Sequence, residues 1–438
     1  MRVLLLSYHY PPAPAVGSLR AAKVARALCM AGHEVTVVTA NWGVATPAMD
    51  PSSDPGAPVL HVTPWPGPRD WYLALKRRLR SKAKRSAEQV GREGPVVDAP
   101  EGVTAWKRYL FSLLWLPDDR QGFIAPAAIA AWRRMRGAVD LVYTTAPPFS
   151  VHLAGLLLRG VLGSSARWVM EFRDPWTDNP WKPRHVRSRF SDAADGLLER
   201  WCLGAADQIV VVSEGMYELL SAKLPSAARH RLVLAPSGIE RIAPARRQPR
   251  QASPLRIAYA GTLYHRRDPR PFLRAIATVR QRCAFTPQEL QVDFVGHCRW
   301  YHDVSIESAA AGLGLADVVR FHDWVDNDAC LAFLGRADLL LLLAQGQPVQ
   351  IPNKLYEYLG TGVPILAYAD RDGDVARLLH QVGGHRVVAD DDVEAAANAI
   401  ESVRRHGTFA NSAIPDPAAL AEFTTERQLR RLVSAIGA

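Results

Sequence analysis

Residues 1–39 read MRVLLLSYHYPPAPAVGSLRAAKVARALCMAGHEVTVVT, and this stretch decides the fold. Residues 3–6 form a short, continuous apolar run. A Pro/Gly-rich loop follows at 11–17, then a helical pattern over 18–30, then a second apolar run at 35–39 beyond Gly32. Strands that are apolar throughout and alternate with helices build parallel sheets covered on both faces. Working outward, residues 141–143, 167–170 and 208–212 read as further strands of the same sheet. A second series opens at 256–259, passes Gly261 into a helix over 271–282, and continues through 291–295, 318–321, 338–343, 364–367 and 386–388. The expectation is an α/β protein with two doubly wound, Rossmann-like parallel-sheet domains and a ligand cleft between them.

Between the two series lies APARRQPRQASP, residues 243–254, polar, Pro-containing and without periodicity, which reads as a linker. The expected domains are therefore 1–242 and 243–415. A C-terminal helix at 416–438 is expected to pack back towards the first domain. The 438 residues leave ample length for two cores, and 48% hydrophobic with 22% charged residues is ordinary globular composition.

The net charge of +10 is unevenly placed. Residues 1–240 hold 30 Lys and Arg against 21 Asp and Glu, whereas residues 241–438 hold 23 against 22. Within the first half, residues 69–92 carry 9 basic and 2 acidic side chains. This segment lies in a region, 46–126, that interrupts the first domain. On a helical template Tyr72, Leu75, Leu79, Ala83, Ala87 and Val90 form a narrow apolar stripe. Lys76, Arg77, Arg78, Arg80, Lys82, Lys84 and Arg85 fill the remaining face. A second stretch, Trp106 to Leu116, is aromatic with a basic edge. Basic amphipathic helices with Trp and Leu opposite the charge suit an anionic membrane interface. A solvated cationic face over a core stripe is the alternative. Nucleic acid is set aside as a partner because no recognised binding module accompanies the charge.

The five scattered cysteines include no C-x-x-C pair, which fits a reducing compartment and no disulfide framework. His297, Cys298 and His302 cluster without a second ligand pair at metal-binding spacing, so no metal is expected there. Asp372-Gly-Asp374 is read as a turn and not as a metal motif. The apolar start ends at Ser7, too early for a signal peptide, and no run approaches a membrane span. The expected location is the cytoplasm, peripheral on the inner face of the cell membrane.

No G-x-G-x-x-G follows the first strand and no G-x-x-x-x-G-K-[ST] occurs, so neither a dinucleotide cofactor nor a P-loop is supported. The loops suit a diphosphate instead. Gly261-Thr-Leu-Tyr-His-Arg-Arg267 follows a strand. Gly261 permits close backbone approach, and Arg266 and Arg267 could grip phosphate oxygens. Ile351-Pro-Asn-Lys-Leu-Tyr-Glu-Tyr-Leu359 opens a helix whose first amides, near Asn353, would meet an anion beside Lys354. Glu357, one turn in, could accept from a ribose diol.

Together these segments resemble the glycosyltransferases of family 4, which have the two-domain GT-B architecture. Tyr10-Pro-Pro with Gly17-Ser-Leu-Arg20, Ala206 to Glu214, Ala235 to Glu240, and above all Pro352 to Leu366 carry the resemblance. It implies a nucleotide-sugar donor, UDP- or GDP-linked, as substrate, with no cofactor and no metal, and retention of anomeric configuration. It places the donor-ribose glutamate on Glu357 and the diphosphate-binding lysine on Arg267. Gly261, Thr262, Arg266, Asn353, Lys354 and Leu355 join these as donor-binding residues, and Gly17 faces the phosphates from the first domain. Two departures stand out: Thr262 occupies the place of an arginine, and Val349 that of a second glutamate.

Two first-domain loops complete the reading. Thr145 and Pro147 lie in one, after the 141–143 strand, and are expected to bind the acceptor. Arg173 and Asp174 lie in the other and are assigned both to the acceptor and to catalysis, with Asp174 as an acceptor-orienting group and a structural ion pair as the alternative. The expected reaction is sugar transfer to an acceptor, lipid-linked in glycan assembly or a soluble small molecule. A non-catalytic sugar-nucleotide-binding subunit and a sugar-nucleotide epimerase are the further alternatives.

Overall fold

Continuous burial along the apolar runs dictates two parallel sheets. The computed structural model describes residues 1–13, 15–42, 56–80, 109, 112–135, 139–180, 182, 187–243, 254–410 and 417–437. The chain forms two units: 1–212 with 216–235 and 429–438, and 213–215 with 236–428.

The first unit holds seven strands: β1 (Arg2–Ser7), β2 (Glu34–Ala40), β3 (Val59–Val62), β4 (Leu141–Ala146), β5 (Arg167–Phe172), β6 (Gln208–Val211) and β7 (Leu232–Leu234). Their order is β3-β2-β1-β4-β5-β6-β7, with every pair parallel. The central strand β4 is buried end to end, and its neighbours β1 and β5 expose only their first residues, Arg2 and Arg167. Helices α1 (Val16–Met30), α2 (Pro68–Arg80), α3 (Ile124–Met135), α4 (Ser150–Leu162) and α5 (Arg189–Ala205) belong to this unit. A capping box closes the start of α5, where Ser188 accepts from the Ser191 amide (3.1 Å) and Ser191 accepts from the Ser188 amide (2.9 Å).

The second unit holds β8 (Leu255–Ala260) and β9 (Leu290–Val295), then a short hairpin of β10 (Trp300–Tyr301) and β11 (Val304–Ser305), then β12 (Val319–His322), β13 (Leu339–Ala344), β14 (Ile365–Ala369) and β15 (Arg386–Val388). Its main sheet runs β12-β9-β8-β13-β14-β15, again parallel. Helices α6 (Arg270–Cys283), α7 (Asn353–Gly360), α8 (Asp374–Val382) and α9 (Val393–His406) accompany it. The Leu-rich strand β13 is buried along its whole length, at the centre of the core. The last helix, α10 (Thr425–Ala435), re-enters the first unit at Leu429. Leu429, Leu432, Val433 and Ile436 pack with Val3, Leu5 and Ala21.

Two edge strands, β3 and β7, were not anticipated. Val59–Val62 adds to the sheet from inside the stretch read as an insertion, pairing with β2 from Val37 onward. Among the basic residues, Lys76, Arg77, Arg78 and Arg80 fall on the backbone of α2. Lys82, Lys84, Arg85 and residues 244–253 of the linker lie outside the described residues.

In each sheet the strand order reverses once, between β1 and β4 and between β8 and β13. Loops leaving the carboxyl ends of those strand pairs diverge there, and such points are where α/β sheets bind ligands.

Candidate functional site

In the second unit the loops after β8 and β13 flank the reversal. Ala260 ends β8, and α7 clasps it from two positions one turn apart. The Tyr358 hydroxyl accepts from the Ala260 amide at 2.9 Å, and Lys354 Nζ donates to the Ala260 carbonyl at 3.0 Å. Lys354 also donates to the Tyr259 hydroxyl at 3.1 Å and stands 4.4 Å above that ring. Gly261 follows at φ 138°, in the region that favours glycine, and a Cβ there would fall 2.3 Å from Lys354 Nζ. The glycine is thus the space into which the ammonium fits.

Arg267 stands next to this lysine and is only 9% exposed. Its guanidinium lies 4.2 Å above the Tyr264 ring. Its Nε is buried with no hydrogen-bond partner among the described residues. Burial first, then the Arg267 charge, pushes the Lys354 ammonium down to about 7. Two cations held together at such cost, one with an unmet donor, form a site for an anion. The N-terminus of α7 adds to it: Pro352 occupies the cap position with no side-chain cap, leaving first-turn amides to a ligand.

Asn353 and Glu357 pair across one turn, with Nδ2 donating to Oε1 at 3.2 Å. Arg266 is exposed and lies along Gly346, where a Cβ would come 2.6 Å from its Cδ. Thr262 contributes its carbonyl, which accepts from the Tyr259 hydroxyl at 3.2 Å. Leu355 is a correction: its side chain is fully buried in the core and its amide donates to the Pro352 carbonyl (2.9 Å), so neither reaches a donor. Cys298 closes the loop from beneath, Sγ donating to the Gly261 carbonyl at 3.1 Å, and burial pushes its thiol up to about 12. His302 Nε2 lies 2.9 Å from the His265 carbonyl.

The loop before α7 holds what the motifs did not show. Gln345, Gln347 and Gln350 are all buried. Gln345 donates to the Asp268 carbonyl at 2.9 Å while its own Oε1 stays buried without a partner among the described residues. Three glutamines within six residues, directly after a strand of five leucines and an alanine, were the available signal.

In the first unit the equivalent loops follow β1 and β4. Arg173 donates to the carbonyls of Ala146 (3.1 Å) and Pro147 (2.5 Å), so Pro147 serves through its backbone. Gly17, in the first turn of α1, makes room for it: a Cβ there would sit 2.0 Å from Arg173 Nη1. Asp174 is half-buried and acts electrostatically on Arg173. Thr145 is a second correction. It is fully buried and donates to Glu171 at 2.6 Å, so no acceptor reaches its hydroxyl. Glu171 is itself fully buried and paired with Arg20 at 2.9 Å. Burial opposes its ionisation, yet the Arg20 charge holds its carboxyl below the usual range.

His9 was not foreseen. It sits just beyond β1, stacked on Trp42 with ring centroids 5.0 Å apart. Burial, then Arg173 and Arg120, pushes its imidazole down to about 4. A neutral ring with a buried Nδ1 lacking a partner among the described residues can accept a proton or a hydrogen bond.

Two family models match the chain, one described as "Glycosyl transferase 4-like domain" over residues 90–238 and one as "Glycosyl transferases group 1" over residues 254–406. Solved structures agree across the full length. Anabaena HepE, in complex with UDP-glucose, aligns with a TM-score of 0.61 at 13% identity, covering 100% of this chain and 99% of that one. The chain is a GT-B glycosyltransferase.

The lipopolysaccharide outer core galactosyltransferase WaaB matches with a TM-score of 0.59 at 12% identity, covering 100% and 99% of the two chains. A UDP-forming trehalose-phosphate synthase from Burkholderia xenovorans, with glucose-6-phosphate, matches with 0.60 at 13% identity over 100% of both. No curated protein sequence matches the chain. In this glycosyltransferase Gly261, Arg267, Lys354, Asn353 and Glu357 come together around the β8–β13 reversal. Gly17, Pro147 and Arg173 meet at the β1–β4 reversal, joined by His9.

Proposed function

We propose that this glycosyltransferase belongs to family 4 and moves a sugar from a nucleoside-diphosphate sugar to a lipid-linked acceptor in polysaccharide assembly, with retention and without a metal ion. The observation that carries the donor assignment is the buried Arg267–Lys354 pair at the uncapped start of α7. As the bond between the sugar's anomeric carbon and the diphosphate oxygen breaks, negative charge gathers on the diphosphate. Arg267, Lys354 and the α7 amides are placed to receive it. The acceptor hydroxyl oxygen bonds to the anomeric carbon, and its proton passes to the leaving phosphate. Glu357 accepts from the ribose diol. In the first unit, Asp174 orients the acceptor, and Arg173 holds the Ala146–Pro147 backbone that shapes its loop. The UDP-glucose bound to HepE and the UDP-forming reaction of the trehalose-phosphate synthase favour a uridine donor.

Among the described residues no helix is long and apolar enough to cross a membrane. A lipid-linked acceptor therefore calls for peripheral attachment, at the cytoplasmic face in this reading. A soluble phosphorylated sugar is the second reading, favoured by the glucose-6-phosphate in the Burkholderia structure and by Arg120 and Arg173 beside His9. Titration calorimetry with UDP decides the donor site: wild-type binding with loss in Arg267→Ala and Glu357→Ala supports it. Equal affinity in all three proteins removes it. Proton NMR of the first-formed product, read for its anomeric configuration, tests retention.

A further inference from the structure

We infer that the outer face of helices α3, α4 and α5 is a docking surface for an anionic lipid bilayer, an inference that rests on the lipid-linked acceptor proposed above. The three helices pack side by side on the first unit. Their outward residues are Ile129 and Trp132 on α3, Leu157 and Val161 on α4, and Leu197 and Trp201 on α5. Val161 is 65% exposed, Trp201 55% and Trp132 50%. Single exposed apolar residues are ordinary, but three adjacent helices presenting them together mark an interaction surface.

Helix α5 is turned against the usual pattern. A helix on a soluble protein buries its apolar stripe and exposes its carboxylates. Here Asp195 and Glu199 are buried while Leu197 and Trp201 face out. Asp195 is bonded by Lys182 and by Trp176 Nε1 (3.3 Å), and Glu199 by Thr177 (2.7 Å) and Lys223 (2.8 Å). Asp192, half-buried, is paired with Arg187 at 3.4 Å. Helix α4 carries a single charged residue, Arg159, and α3 carries only Arg133 and Arg134. The fully exposed charges on the three helices are thus arginines: Arg133, Arg134, Arg189 and Arg200.

Tryptophan and leucine ringed by arginine, with every carboxylate turned in or paired, match anionic headgroups over an apolar interior. The charge argues against a second copy of this chain, since a two-fold interface would bring two such arginine-bearing faces together with no exposed carboxylate between them. The surface is continuous with the stretch singled out for its basic, aromatic character. Tyr109 lies 6.2 Å from Phe190, and the Ser112 and Ser188 hydroxyls are 2.7 Å apart, which docks the described part of 106–116 at the start of α5. The basic helix α2 starts nearby, since the Trp65 amide, just before it, donates to the Gly122 carbonyl at 2.9 Å, just before α3. The apolar contact thus belongs to the three helices.

The test is co-sedimentation of the full chain with vesicles of phosphatidylglycerol and phosphatidylcholine, and of phosphatidylcholine alone. Wild type is expected to bind the anionic vesicles and to lose most of that binding on neutral ones. Trp132→Ser/Trp201→Ser and Leu157→Gln/Val161→Gln should each bind the anionic vesicles about tenfold more weakly. Wild-type binding in both double variants overturns the proposal. So does a dimer seen by light scattering that the same substitutions dissolve while vesicles are not bound. Calorimetric UDP-glucose affinity should be unchanged in both variants, which confirms their folding. Failure of wild type to bind any nucleotide sugar would sink the glycosyl-transfer reading and leave the vesicle result to stand separately.

Discussion

The two units reverse their strand order in the same way, yet they treat their cations oppositely. At the β1–β4 reversal the arginines are already engaged: Arg20 on Glu171, and Arg173 on two backbone carbonyls. At the β8–β13 reversal Arg267 and Lys354 lie together with an unmet donor between them. In both places a glycine gives way to a cation, Gly17 to Arg173 and Gly261 to Lys354. The shared topology thus builds one finished frame and one unfinished charge site. The unfinished one is where the proposed diphosphate would contribute binding energy.

The widest break in this comparison comes from the finished side. Arg20→Met removes the ion-pair partner of buried Glu171, leaving it the Thr145 hydrogen bond and the Arg173 charge, and should cost about 3–5 kcal/mol of stability in urea unfolding. Adding Glu171→Gln should recover part of that loss; a single variant as stable as wild type would show that the pair is not structural. On the unfinished side, Arg267→Ala should weaken UDP by about 1.5–3 kcal/mol, roughly ten- to hundredfold by calorimetry, with little change in the melting temperature of the free protein. A large drop in melting temperature would mean that Arg267 is frame as well.

The next effect is pH-dependent. Lys354 titrates near 7, and diphosphate favours its protonated form. Affinity should therefore be full at low pH, about halved at pH 7, and about tenfold lower at pH 8, with close to one proton taken up on binding at pH 8. A flat profile between pH 6 and pH 8.5 would place Lys354 outside the donor site. Since its folded value lies below the ordinary lysine value, the unfolded chain holds more protons between about 7 and 10.5, and Lys354 makes stability rise with pH across that window. The smallest change is Glu357→Gln, which retains an acceptor oxygen and should cost about 1 kcal/mol with UDP. A hundredfold loss would give Glu357 a larger role than holding a ribose.

Much of the fold was readable because β1, β4 and β13 are buried on both faces and so carry continuous apolar runs, residues 3–6, 141–143 and 339–344. The edge strands were not. Val59–Val62 is short, half-buried and bordered by Pro58 and Pro64, so it carries neither an apolar run nor an alternation. At the donor site the basic doublet, the glycine and the Pro352–Asn353 helix start were visible one by one. The stacking of Lys354 on Tyr259, and the presence of Arg267 beside it, depend on residues about 90 positions apart in sequence meeting in space. Leu355 and Thr145 were misassigned for a related reason: they stand near less buried residues, while their own side chains face the core. The inward carboxylates of α5 lie beyond sequence reading, since they are fixed by Lys182 and Lys223, which lie outside that helix.

The return of α10 to the first unit has a consequence for synthesis. Leu429, Leu432, Val433 and Ile436 fill the core of a sheet whose first strand leaves the ribosome more than 400 residues earlier. The second unit can be made and folded while the first still lacks part of its interior. Until residues 425–436 are made, the nascent first unit exposes an apolar seat for the helix that fills it. Stalling or truncation before residue 429 would strand the first unit, and not the second, as the aggregation-prone species.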